Sequence, residues 1–133
     1  MIHFEDILGL PYLARGTDPS KGVDCAWAAR QGLARIFPDF RPEDFPLDPR
    51  EEAKAIELAR ISANAWTRIG GNVFAATTAG DLLLGDHEGG EMYVAVLVDS
   101  EKREVLTATH TRGVHLCPIR KLTNVRDVFR RNA

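Results

Sequence analysis

Apolar positions fall at helical spacing in the first half of the chain and in strand-like runs in the second. Ala26, Ala29, Leu33 and Ile36 follow one another at intervals of three, four and three residues, which lays one buried stripe along a helix. Asp24, just ahead of the stripe, is a good N-cap because its carboxylate can accept from the free N–H groups of the first turn. Cys25 then falls in that first turn. Phe4, Ile7 and Leu8 suggest a short helix stopped by Gly9, and Pro11 with the stretch from Gly16 to Gly22 reads as a loop leading to Asp24. Pro38, Pro42, Pro46 and Pro49 break the next segment into an irregular connection. Asp48, Pro49 and Glu51 then offer a cap, a first-turn proline and a capping-box partner for a second helix. Its stripe would be Ile56, Ala59, Ala63 and Trp66, ending at Gly70 and Gly71.

Beyond Gly80 the pattern changes. Asp81 to Leu84, Tyr93 to Val98, Glu104 to His110 and Val114 to Ile119 are rich in Val, Leu and Thr and bounded by turn residues, which predicts four strands. The run from Tyr93 to Val98 is apolar on both faces, so it belongs inside a sheet with helices packed on one side. Helices first and strands later make an α+β fold. Trp27 and Trp66, on predicted helices, are expected to pack in the core.

A chain of 133 residues fits one domain, 1–133, with one core. Its net charge of −2 gives no overall field towards nucleic acid or an anionic membrane. The local excess of Arg120, Lys121, Arg126, Arg130 and Arg131 over Asp127 reads as a solvated helix face, without the interleaved aromatics of a nucleic-acid site. Met1 to Leu10 carries Glu5 and Asp6 and no long apolar run, so neither a secretory signal nor a membrane span is expected. The expected location is the cytoplasm, unless a larger particle carries the protein out. Cys25 and Cys117, far apart in a chain without a secretion signal, read as free thiols. His110, His115 and Cys117 match no closed zinc spacing, so no metal and no other cofactor is expected.

Several short runs carry a family likeness. Leu8-Gly9-Leu10-Pro11-Tyr12, Arg15-Gly16-Thr17-Asp18-Pro19 and Gly22-Val23-Asp24-Cys25 resemble the opening signature of NlpC-type cell-wall peptidases, within the papain-like cysteine hydrolases. Gly80-Asp81-Leu82-Leu83-Leu84 and the run from Tyr93 to Val98 resemble two of that family's strands, in the same order. The resemblance implies helices packed on a small antiparallel sheet, with Cys25 as nucleophile at a helix head. The segment between the first helix and Gly80 is similar to stand-alone peptidase-like proteins of phage and gene-transfer-agent tails, which would give such a particle a route to the wall.

The chemistry implied is attack by a thiolate, which a helix N-terminus stabilises. By the resemblance, Tyr12 would help to hold the oxyanion of the tetrahedral intermediate. The family's strand histidine is replaced by Tyr93, and the polar residue on the next strand by Thr107. A tyrosine with a pKa of about 10 cannot take the thiol proton at pH 7 as an imidazole would. His87, in a Gly-rich loop, and His110, at a strand end, could supply the base; the simpler reading of each is a polar surface residue, and His87 is the better candidate of the two. Two functions follow: a cysteine peptidase or amidase acting on peptidoglycan stem peptides, or a catalytically inactive relative binding a wall peptide or tail-particle protein.

Overall fold

The computed structural model describes residues 2–41 and 65–132. Among them, Thr17–Asp18 (β1) and Gly22–Val23 (β2) form a small antiparallel pair, followed by the helix Cys25–Ile36 (α1). The strands Trp66–Gly70 (β3), Leu82–Asp86 (β4), Met92–Asp99 (β5), Glu104–Thr109 (β6), Gly113–Pro118 (β7) and Val125–Arg131 (β8) build an antiparallel sheet in the order β3-β8-β4-β5-β6-β7. The fold is α+β, and the expected segment from Tyr93 to Val98 does lie inside the sheet.

α1 forms where the stripe and cap predict it. Asp24 Oδ1 accepts from the Trp27 N–H at 2.8 Å, and the buried face of the helix is Cys25, Ala26, Ala28, Ala29, Gly32 and Leu33. Most of these side chains are small, so the helix lies close against β5 and β6. A Cβ added at Gly32 would stand 2.8 Å from Val96 Cγ1 and 3.2 Å from Leu106 Cδ2.

Pairing fixes which side chains share a face. Leu82 pairs with Val96, Leu84 with Val94, Val96 with Leu106, and Ala108 with Val114, so all of these point towards α1. The alternate positions, Leu83, Ala95, Leu97, Val105 and Cys117, form a second apolar layer on the far face, with Ile119 and Val128.

Three expectations are corrected. Residues 5–9 form turns, not a helix, with the Ile7 and Leu8 N–H groups both bonded to the Phe4 carbonyl. Trp66 begins β3 opposite Arg131, so no helix runs to Gly70; the rest of that predicted helix lies outside the described residues. Of the basic C-terminal run, Arg126, Arg130 and Arg131 lie in β8, between β3 and β4, and Arg120 and Lys121 in the short turn Ile119–Lys121 before it, not on one solvated helix face. The cations of β8 are held from both sides of the sheet. Arg130 Nε and an Arg130 terminal nitrogen donate to Asp81 at 2.9 and 2.8 Å, while Arg131 donates to Asp39 at 2.9 Å and lies over the Phe37 ring. Helical spacing could not reveal those partners, which lie far away in sequence.

Asp81 is only 1% exposed and also accepts from the Thr77 and Thr78 N–H groups. Replacing Arg130 with alanine would leave this buried carboxylate short of two charged bonds, a loss of about 2–3 kcal/mol. Gly32→Leu should cost a similar amount, about 1–3 kcal/mol, by overpacking α1 against Val96 and Leu106. Urea unfolding of the two variants tests both values, and an unchanged midpoint for either contradicts the packing described.

Candidate functional site

Cys25 heads α1 and is 5% exposed. Burial is the main influence on its thiol and pushes the pKa up to about 12, with the neighbouring Asp24 carboxylate acting in the same direction; the backbone N–H groups of Val94, Cys25 and Ala26 act against them. The helix head thus favours the thiolate as expected, but burial outweighs it. At neutral pH the group is a thiol.

The Val94 amide is available to the sulfur because the sheet opens beside it. The Leu97 N–H bonds to the Asp81 carbonyl, so odd-numbered positions of β5 address β4 and even-numbered ones address β6. Pairing of β5 with β6 runs from Asp99–Glu104 to Val96–Leu106 and stops before Val94. The Val94 carbonyl instead accepts from the Thr107 hydroxyl at 2.9 Å.

Tyr12 is brought to the same place by the chain preceding the helix. Val23 N–H bonds to the Pro11 carbonyl, Tyr12 bridges to Val23, and Gly9 and Leu10 exchange hydrogen bonds with Val114 at the start of β7. This ties the 9–13 segment between the helix head and the β6–β7 hairpin. The His110 ring, in that hairpin, lies 4.2 Å from the Tyr12 ring, centroid to centroid. Burial raises the Tyr12 pKa to about 12, with Cys25 and then Asp24 and Glu91 adding to it. Tyr12 is therefore a neutral phenol that lies against His110 and is near enough to Cys25 to feel its charge. A groove of about 410 Å³ runs over it, lined also by His87, Glu91, Thr109 and His110.

Tyr93 and Thr107 lie elsewhere. Tyr93 pairs with Gly85 and Thr107 with His115, which puts both on the far face of the sheet, with Cys117 and away from α1. The Tyr93 hydroxyl donates to the Thr123 carbonyl at 2.6 Å, and its ring lies 4.8 Å from His87. The residue whose side chain points to the helix beside Cys25 is Val94, which the sequence did not single out. A strand apolar on both faces hides its own parity, so only the pairing reveals it.

The structure thus brings together Cys25, Tyr12 and His110 on one side, and Tyr93, Thr107 and His87 on the other, with His87 at the rim of both. Among the described residues, no three of His, Cys, Asp or Glu are grouped to hold a metal. Among the described residues no helix is long and apolar enough to cross a membrane.

An antiparallel sheet with a cysteine-headed helix across it defines an α+β fold. A solved NlpC/P60 family protein from Bacillus cereus ATCC 10987 superposes with a TM-score of 0.54 over 93% of this chain, at 17% identity, and the chain spans 36% of that protein. The likeness is one of fold. No protein-family model and no curated protein matches the chain.

The raised thiol pKa has a consequence for stability. Cys25 holds its proton more tightly folded than unfolded, so its contribution is complete below the ordinary thiol value of 9.0 and is lost as pH rises towards about 12. Tyr12 and Tyr93 lose stability towards the same upper limit, each being raised from 10.0 to about 12. Between pH 7 and about 10.5 the urea midpoint should therefore fall, and fall less in Cys25→Ala. Equal slopes in the two proteins would show that the thiol is not held protonated by the fold.

Proposed function

We propose that this chain is a catalytically inactive NlpC/P60-like domain that binds peptide in the groove over Tyr12. The observation that carries this is the strand residue beside Cys25, which is Val94, an apolar side chain that can take no proton. A buried thiol with a pKa near 12, with no hydrogen bond to a basic side chain among the described residues, is not a nucleophile at neutral pH. The groove supplies an aromatic ring, two imidazoles and the Glu91 carboxylate, and about 410 Å³ suits a short peptide. A peptidoglycan stem peptide is the ligand we favour, and a protein of a phage or tail-like particle is the other candidate. Carriage on such a particle would bring the domain to the wall.

The hydrolase alternative is favoured by one contact, the His110 ring on Tyr12 next to the thiol. In that mechanism the Tyr12 ring moves aside, His110 takes the Cys25 proton and the sulfur attacks the peptide carbonyl; the C–N bond then breaks as His110 returns the proton to the leaving amine, and water releases the acyl group from the sulfur.

Incubation with purified stem peptides separates the two. Binding without release of a new amine, retained in Cys25→Ala and weakened at least fivefold in the Tyr12→Ala and His110→Ala variants, supports the binding domain. Cleavage that Cys25→Ala abolishes overturns it in favour of the hydrolase. Absence of stem-peptide binding sinks the favoured ligand, and retention on tail-particle proteins would then identify the other.

A further inference from the structure

On the far face of the sheet, beneath β6 and β7 and the turn Ile119–Lys121, lies a second groove of about 430 Å³. Its charge is one-sided. Arg112, Lys121, His87 and His115 line it, and no Asp or Glu does, in a chain whose net charge is −2. Among the described residues neither Arg112 nor Lys121 has an ion-pair partner, although most other arginines on this sheet are paired, as Arg68 is with Asp127 and Arg130 with Asp81. Glu104 and Asp86 lie near enough to act on Cys117 and Tyr93, but Asp86 stands 3.5 Å from Arg126 and neither carboxylate lines the groove.

An independent feature is the Thr109 hydroxyl. It is buried, it belongs to a residue lining the groove, and it has no hydrogen-bond partner among the described residues. A buried hydroxyl left this way costs about 1–3 kcal/mol, which a ligand oxygen would offset. Its neighbour Thr107 on the same face is already engaged with Val94. Two cations without ion-pair partners among the described residues, lining one groove with a hydroxyl donor left without a partner, form the arrangement that recognises an oxyanion.

We propose that this groove binds a small molecule or peptide end through a carboxylate or phosphate group, held by Arg112 and Lys121 and by the Thr109 hydroxyl. The site is separate from the groove over Tyr12, with which it shares only the rim residues His87 and Thr109. It uses Cys117 as part of its floor and leaves Cys25 untouched. It does not depend on whether the domain is a hydrolase.

The test is an amide NMR titration of the full chain with inorganic phosphate and, separately, with acetate, each against sodium chloride at equal ionic strength. Saturable shifts confined to Thr107–Pro118 and Ile119–Thr123 are expected with at least one anion. They should weaken at least tenfold in the Arg112→Gln, Lys121→Gln double variant, whose remaining spectrum reports that it is folded. Thr109→Val, which keeps the shape and removes the hydroxyl, should weaken binding several-fold. Response to phosphate alone assigns a phosphate ester, and response to acetate alone assigns a carboxylate. No saturable shift with either anion, shifts unchanged in the double variant, or shifts centred on Tyr12 and Cys25 would each overturn the proposal.

Discussion

The opening between β5 and β6 at Val94 governs what the rest of the molecule can do. A backbone amide and carbonyl inside a sheet need partners, and here the ladder stops at Val96–Leu106. The carbonyl is taken by the Thr107 hydroxyl, while the amide acts on the Cys25 sulfur. The helix can bring that sulfur so near because its inward face is built of alanine and glycine. Close packing and the strand opening together bury the thiol. Grooves lie on both sides of this region, with His87 and Thr109 common to their linings.

Local signals in the sequence were sufficient for much of this. Asp24 and the alanine stripe place α1, and the β-branched runs place β4 to β7 close to their observed limits. What failed was anything decided by distant partners. The arginines of β8 resemble a solvated helix until Asp81 and Asp39 are seen to hold them, and Trp66 continues a helical stripe until it is seen opposite Arg131. In both places strand pairing overrides local spacing.

The site was legible in its elements but not in its parity. Leu8 to Tyr12 and Gly22 to Cys25 do converge, and the hydrogen bonds linking Pro11, Val23, Leu10 and Val114 explain how Tyr12 reaches His110. Aligning a strand by likeness alone picks out Tyr93 and Thr107, yet a shift of one residue exchanges the faces of a strand. Since Tyr93 to Val98 is apolar throughout, nothing in its composition shows which side meets the helix. The electrostatics of the far groove were equally hidden, because Arg112, Lys121 and Thr109 become neighbours only once β6, β7 and the following turn are folded.

The central claim is that Cys25 is a buried, protonated thiol facing Val94. Its alkylation rate in the native protein as a function of pH, read by peptide mass spectrometry, tests this most directly. The account predicts no inflection below about pH 10 and, at pH 8, a rate roughly a thousandfold below that of an exposed cysteine, rising to the ordinary rate in urea. An inflection below neutral pH would instead show a stabilised thiolate with a base beside it, and would contradict the inactive domain proposed above.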